Sequence, residues 1–466
     1  MKIGIVCEGS YPFISGGVSS WVQGLIRGMP QHEFVILAII PPSQKQVYQY
    51  ELPENVTNVS IFQLQIENKR TIKKKMKRRI TKSELEQLFS LFQMKNTSRE
   101  VLQLIHEIAM EDDIDTFFNS RYFWEIVKRS SQEQEVHNFI EFFYMMKGMY
   151  MPIFTLLKRE FPDVDLIHSA STGYAGILAA ALASHQGIPY LLTEHGIYTR
   201  EREEEILLSE WIPAVFKQRW MDYFHHIGSI SYHHADHIIT LFERNSRVQK
   251  EKGAVPEKLM IIPNGVIPPE TVPDSEQRDV FHIGSIVRVV PIKDIKTMLY
   301  AARELKNRGI AFKWSILGPM DEDKEYVAEC LELREQLGLM EHVALLGKVN
   351  VSEYLPDFDV KVLSSLSEGQ PLSILEAFSY EVPCISTDVG SCMELIKGSN
   401  VDTLGTAGLV FTPTDVGELV ESLIWMQQNE EKRKVMGKIG RKRVLKFYQQ
   451  DDVIRSYLEL YEGRKE

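Results

Sequence analysis

Cysteine is scarce in this chain: its 466 residues hold four, Cys7, Cys330, Cys384 and Cys392, and no two of them form a CxxC pair. That excludes a disulfide framework and suits a reducing compartment. Long apolar runs are also missing. No stretch of about 18 uninterrupted apolar residues occurs, so no transmembrane helix is expected. The opening MKIGIVCEGSYPF has one lysine and a five-residue apolar run before Glu8, too short for a signal peptide. A cytoplasmic location is therefore expected. Positive charge is in deficit, with Lys+Arg 53 against Asp+Glu 64 and a formal net charge of -11. An acidic surface repels polyphosphate backbones, so no nucleic-acid partner is expected and any bound phosphate needs a local positive site. There is no low-complexity tract and no internal repeat of about 20–50 residues. No GxGxxG follows Ile3–Cys7, which removes a Rossmann dehydrogenase. No lysine stands in a recognisable pyridoxal-phosphate context.

What is present is ordinary globular material, with 44% hydrophobic, 10% aromatic and 25% charged residues. At this length two domains are the default, because single cores rarely grow past roughly 250–300 residues. Short apolar runs alternate with helical patterns, which predicts parallel sheets with crossover helices. Strands are expected at Ile3–Cys7, Phe34–Ile40, Asp165–His168, Tyr190–Thr193, His237–Leu241 and Leu259–Ile262, with an amphipathic helix at Val18–Met29. A turn-rich stretch from Pro263-Asn264-Gly265 to Pro273-Asp274 reads as a linker and hinge. The same pattern then restarts, with strands at Phe281–Val287, Lys313–Leu317, Val343–Leu346, Val360–Leu363 and Cys384–Thr387. The expected division is 1–270, 271–445 and a terminal helix over 446–466 that returns to the first domain. Residues 69–160 break the rhythm and read as a helical insertion in the first domain. The insertion opens on Lys73-Lys74-Lys75-Met76-Lys77-Arg78-Arg79, either a solvated helix face or a patch drawn to an anionic membrane.

The strongest chemical signal is Ser367-Glu368-Gly369-Gln370-Pro371-Leu372-Ser373-Ile374-Leu375-Glu376, which follows the strand Val360–Leu363 and opens a helix. A loop running into a helix N-terminus presents unpaired N–H groups and a positive dipole end, which favours phosphate. Glu368 and Glu376 suit the vicinal hydroxyls of a ribose or sugar. Arg288, after the strand Phe281–Val287, and Lys293 five residues later suit a diphosphate, one as a fork and the other as a point charge. Taken singly, each of these features also fits an ordinary solvated loop.

In order along nearly the whole chain, Gly16-Gly17, Glu194-His195-Gly196, Ile262-Pro263-Asn264-Gly265, Arg288…Lys293, Gly318-Pro319 and Glu368-x7-Glu376 resemble the family 4 glycosyltransferases of the GT-B fold. The opening Glu8-Gly9-Ser10-Tyr11-Pro12 and the run Glu194 to Arg202 are similar to the PelF group, the cytosolic glycosyltransferases of Pel exopolysaccharide synthesis. The resemblance implies an α/β fold of two Rossmann-like domains facing across a cleft, and a retaining transfer of a hexose or N-acetylhexosamine. The donor would be a UDP-sugar and the acceptor a growing polysaccharide. Arg288 and Lys293 would bind the diphosphate, Glu376 the ribose and Glu368 the donor sugar, with Gly369, Gln370, Pro371 and Leu372 offering backbone amides. His195 would reach the sugar from the first domain, and Lys348 and Val349 would meet the base. Gly16 and Gly17 would let the backbone approach the ligand closely. In the implied mechanism the acceptor hydroxyl attacks on the face the nucleotide leaves, and a donor phosphate oxygen takes its proton. Neither a metal nor another cofactor is expected, and a membrane-bound Pel-type synthase component is an implied partner. The alternative is a sensor of nucleotide sugars on the same fold without transferase activity.

Two further features lie outside those motifs. His225, His226, His233, His234 and His237 fall within thirteen residues, and His233 and His237 stand at helical metal-ligand spacing. Zinc and a polar helix are the two readings. Tyr198 and Arg200, just beyond His195, are expected on the acceptor side or as part of a solvated run continuing into Glu203-Glu204-Glu205.

Overall fold

The computed structural model describes residues 1–64, 76–133, 138–273, 280–399 and 401–463. They divide into two compact units, one spanning Met1–Ile261 with Tyr461 to Gly463 and the other Ile262–Leu460.

The first unit is built on a parallel sheet of β1 (Lys2–Glu8), β2 (Glu33–Ile40), β3 (Val56–Gln63), β4 (Leu166–Ser169), β5 (Tyr190–Glu194), β6 (His237–Thr240) and β7 (Leu259–Ile261). The strand order is β3-β2-β1-β4-β5-β6-β7. Central strands such as β1 and β2 are near-continuous Val, Ile and Leu because both faces are covered. β3, VTNVSIFQ, was not anticipated. It is an edge strand with one buried residue, Phe62, so it carries no long apolar run. Helix α1 (Gly17–Arg27) follows β1. Helices α2 (Lys82–Phe92), α3 (Arg99–Glu111), α4 (Ile114–Phe118), α5 (Arg121–Glu133) and α6 (Phe139–Leu157) fill the expected insertion. Their aromatic residues, among them Phe92, Phe117, Phe118, Phe123 and Phe154, join the core of the first sheet rather than forming a separate one. Helices α7 (Gly173–Gln186), α8 (Tyr198–Leu208), α9 (Ala214–His234) and α10 (Glu243–Glu251) complete the unit.

The basic run departs from the expectation of a helix. Lys73, Lys74 and Lys75 lie outside the described residues, and residues 76–80 are irregular. Arg78 donates to Glu84 at 2.8 Å, Glu107 at 2.9 Å and Glu111 at 2.6 Å. The Asp112 carboxylate accepts from the backbone N–H groups of Lys77 and Arg78 at 2.8 and 3.0 Å. This end of the run therefore fastens α2 to α3 instead of lying free.

The second unit repeats the plan with β8 (Phe281–Ile286), β9 (Phe312–Leu317), β10 (Val343–Gly347), β11 (Val360–Leu363), β12 (Cys384–Thr387) and β13 (Gly408–Phe411), ordered β10-β9-β8-β11-β12-β13. β13 is an edge strand in which only Gly408 and Phe411 are buried, and it was not anticipated. Around this sheet lie α11 (Ile295–Asn307), α12 (Lys324–Gln336), α13 (Leu372–Ser379), α14 (Cys392–Lys397), α15 (Val416–Gln428), α16 (Glu430–Phe447) and α17 (Gln450–Tyr461).

The boundary falls at Ile261/Ile262 rather than at 270/271. The reason is hydrogen bonding: the Asn264 N–H donates to Gln370 Oε1 at 2.6 Å, and Val266 exchanges backbone bonds with Tyr448 at 2.9 Å and Gln450 at 3.0 Å. The Pro269 carbonyl accepts from Arg441 at 2.8 Å. The same bonds hold the start of α17 in the second unit, so only the last residues, from Tyr461, group with the first. Among the described residues no helix is long and apolar enough to cross a membrane, and the four cysteines are free and buried.

Candidate active site

Both sheets reverse strand order once, between β1 and β4 and between β8 and β11. Ligands of open α/β sheets sit beyond the carboxyl ends of the strands at such switch points. In the second unit that is where the sequence signals converge. After β8 the chain passes Arg288 and turns at Pro291–Lys293 into α11. After β11 it runs through Ser364, Ser365, Glu368 and Gly369 into α13.

The two loops are knitted together. Ser364 Oγ donates to the carbonyls of Lys293 and Asp294, each at 2.9 Å, and the Leu366 N–H donates to the Ile292 carbonyl at 2.8 Å. The Lys293 ammonium donates to Glu368 Oε1 at 2.5 Å, and Ser365 Oγ donates to the same oxygen at 2.5 Å. This pair is largely shielded, with 15% and 10% side-chain exposure, so its attraction is screened less than a surface bridge would be. Gly390, at φ +54°, braces the loop: a Cβ there would stand 2.2 Å from the Glu368 carbonyl oxygen. Gly318 of the Gly-Pro motif likewise lets the Arg288 loop close, since a Cβ would stand 1.9 Å from the Val287 carbonyl oxygen.

Pro371 occupies the N-cap of α13 without a side-chain cap, and no acidic residue stands in the first turn. The helix therefore keeps an open, positive N-terminus. Gln370 is buried and spends its Oε1 on Asn264, so at this position the backbone rather than the side chain is available. Glu376 lies in the second turn, and burial raises its carboxyl above the usual range while Lys361 pulls it down. Lys361 was not singled out from the sequence. It lies on β11, is fully buried and donates to Ser373 Oγ at 2.9 Å. Its one sequence signal was a lysine between two valines inside an apolar strand. Arg288 is half-exposed and turned to Glu322 at 2.5 Å, apart from the Lys293–Glu368 pair. Lys348 and Val349 follow the edge strand β10, on a separate loop.

In the first unit the corresponding strand ends carry Glu8 and His195. Trp21 of α1 meets the His195 ring edge-on at 4.6 Å and the His168 ring at 5.7 Å. His195 Nε2 is sealed from water without a hydrogen-bond partner among the described residues, and burial pushes the imidazole down to about 4. His168 is held by Tyr461 at 2.7 Å and Thr193 at 2.8 Å. Glu8 accepts from the Tyr174 and Ala175 N–H groups at 3.0 and 3.2 Å and from the Tyr198 hydroxyl at 3.2 Å. Tyr198, expected on the acceptor side, is therefore buried and engaged in holding Glu8. Its ring fills the space beside Gly173, where a Cβ would stand 2.2 Å from it. Arg200 is exposed and reaches only Glu204, at 3.3 Å. Gly16 and Gly17 are exposed with open space around them; a Cβ on either meets nothing within 4 Å.

The histidine cluster does not assemble into a metal centre. His233 is on α9 but His237 is on β6, so their spacing is not helical. His225 pairs with Glu203, and His234 Nε2 bonds the Thr97 carbonyl at 2.7 Å. Among the described residues no three His, Cys, Asp or Glu are placed to hold a metal ion.

Two Rossmann-like domains in series, the second with a lysine–glutamate pair at its switch point, follow the GT-B plan, and the family and relatives that match the chain make it a glycosyltransferase using nucleotide-sugar donors. Residues 267–443 match the family described as glycosyl transferases group 1. Residues 1–257 match the domain of unknown function DUF3492, more than half of the chain, and the protein belongs to that family. Over 306 residues the chain is 24% identical to the MMP alpha-(1->4)-mannosyltransferase of Mycolicibacterium hassiacum, covering 64% of this chain and 71% of the relative. Over 298 residues it is 27% identical to the UDP-Gal:alpha-D-GlcNAc-diphosphoundecaprenol alpha-1,3-galactosyltransferase of Escherichia coli, covering 60% and 70%. Among solved structures, Anabaena Alr3699/HepE in complex with UDP is similar in fold, with a TM-score of 0.61, 15% identity and coverage of 99% and 100%.

Proposed function

We propose that this glycosyltransferase takes a hexose or N-acetylhexosamine from a UDP-sugar and adds it, with retention of configuration, to a growing exopolysaccharide of Pel type. The observation that carries the reading is the Lys293–Glu368 pair at the β8/β11 switch point, beside the uncapped N-terminus of α13. In the absence of ligand the carboxylate occupies the ammonium, which an arriving diphosphate takes over, leaving Glu368 to accept from sugar hydroxyls. Arg288 swings from its exposed bridge with Glu322, a contact worth little to the fold, and adds a second cation. Charge develops on the departing diphosphate, so fixed cations there lower the barrier most. With Arg288 and Lys293 in that role, no metal is required. Glu376 accepts from the ribose hydroxyls, and the loop after β10, with Lys348 and Val349, receives the base.

His195 offers an unbonded Nε2 to a sugar hydroxyl, and the imidazole stays neutral at physiological pH. Gly16 and Gly17 need no glycine for their own backbone, which leaves close approach of ligand as the reason for them. A UDP donor is supported by the name of the Escherichia coli relative and by the UDP held in the Anabaena protein. A polymer bound for export implies a location at the inner face of the membrane and a Pel-type membrane synthase component as partner.

The test is a thermal shift against UDP, GDP, ADP and CDP with EDTA present, on the wild type and on Glu376→Ala. Ligand at about 100 times its dissociation constant stabilises by about 2.7 kcal/mol. A UDP-selective shift lost in Glu376→Ala supports the donor site, and no shift with any nucleotide overturns it. Slow hydrolysis of a UDP-sugar without acceptor separates a transferase from a sensor. Transfer abolished by EDTA and restored by a divalent ion defeats the metal-independent mechanism.

A further inference from the structure

The motifs leave one buried cation unassigned. Lys361 sits on β11, fully buried, in the strand whose end begins the donor loop. An ammonium has three donors, and burying one without compensation is costly. Among the described residues its one hydrogen-bond partner is Ser373 Oγ at 2.9 Å. Ser373 is the second residue of α13 and Glu376 lies three residues on, so the two share a helix face. A buried cation of this kind persists where a nearby carboxylate offsets it, and breaking such a pair leaves the other charge stranded.

The other groups around it do not take that part. Glu368 also acts on the ammonium, but its Oε1 is already engaged by Lys293 and Ser365. Cys384 and Cys392, from β12 and α14, are thiols that burial pushes up to about 12 and about 11, so they stay neutral. Glu376 remains, and Lys361 is the one charge acting on it.

We propose that Lys361 is a positioning residue of the donor site, whose ammonium, anchored on Ser373, is the counter-charge that keeps the Glu376 carboxylate ionised to accept from the ribose. The ribose clause rests on the donor-site reading above; the charge coupling does not. Burial alone favours the neutral form of both groups, raising Glu376 and lowering Lys361, and each charge holds the other in place. Without the ammonium, burial favours the protonated form of Glu376, which loses its capacity as a double acceptor.

The experiment titrates Glu376 by 13C NMR of its side-chain carboxyl, assigned by its disappearance in Glu376→Gln, in the wild type and in Lys361→Met. The expected result is a midpoint raised by about one pH unit or more. In parallel, UDP affinity in Lys361→Met falls about tenfold at pH 6 and recovers to within about twofold of wild type by pH 8.5, with no such recovery in Lys361→Met/Glu376→Gln. An unmoved midpoint, or an affinity loss equal at every pH, overturns the proposal. If Lys361→Met does not fold, Lys361→Gln keeps an N–H for Ser373 without the charge and takes the same readouts. In the wild type alone, coupled titration steps at the Glu376 carboxyl and the Lys361 Cε support the pairing, and independent ones refute it. Undiminished UDP binding in Glu376→Gln breaks the ribose reading and leaves the NMR result to decide the coupling.

Discussion

The strand ends of the two units use charge in opposite ways. In the first, carboxylates at strand ends are saturated: Glu194 accepts from Tyr232 at 2.6 Å, Gln249 at 2.9 Å, Tyr198 N–H at 3.1 Å and Thr172 at 3.1 Å. Glu8 is similarly enclosed by two amides and a phenol. In the second unit the equivalent strand ends carry charges with capacity to spare. Arg288 is half-exposed, and among the described residues Lys293 and Glu368 hold only each other and a serine, while the Lys361 ammonium, within β11, makes one hydrogen bond. A fully satisfied polar network rigidifies a fold. An underused one is a place where a ligand supplies what is missing. The same sheet order therefore carries saturated strand-end carboxylates in one unit and charge with unused capacity in the other.

The sharpest way to break this contrast is Glu194→Ala. It strands four buried donors, and we expect a loss of about 3–4 kcal/mol, read from denaturant midpoints, with no rescue by UDP. Arg288→Ala is the counterpart: about 10²–10³-fold lower kcat with an unchanged melting temperature, since its bridge to Glu322 is worth about 0–1 kcal/mol. Equal damage to stability and rate would erase the distinction. Glu376→Gln should weaken UDP about tenfold at pH 8 while leaving the first unit's hydrogen exchange unaltered.

Acid separates the units as well. His195, His226 and His234 are pushed down to about 4, and His168 to about 3, by burial, and all belong to the first unit. Between the unfolded value near 6.5 and these lowered values the unfolded chain binds more protons. The first unit's stability therefore falls as pH drops from about 6.5 towards about 4, by up to about 1.4 kcal/mol per pH unit for each histidine. Unit-resolved hydrogen exchange should show the first unit opening before the second. The smallest effect is expected from Arg200→Ala, whose exposed bridge to Glu204 is worth only about 0.3–0.5 kcal/mol.

What could be read in advance follows the same divide. β1 and β2 were legible because double burial writes continuous apolar runs, whereas edge strands β3 and β13 bury too little to stand out. The strand–loop–helix setting of Glu368 and Glu376 was legible because an apolar strand, a glycine loop and a helix start mark it locally. Tyr198 and Lys361 were not, because each is decided by packing from a distant segment. Tyr198 fills a gap left by Gly173, and Lys361 reaches a serine twelve residues away. The insertion's basic run failed similarly, since its Arg78 is claimed by carboxylates of α2 and α3.

The bond between His168 and Tyr461 also imposes an order of assembly on the ribosome. Residues 1–261 emerge first, yet the hydroxyl that holds His168 emerges about 200 residues later, after the whole second unit. At about 5–20 residues per second that is a wait of roughly 10–40 s. Until then the nascent first unit carries an imidazole beside Trp21 that lacks this partner. Strand β4 is thus completed by a residue synthesised after the whole second unit.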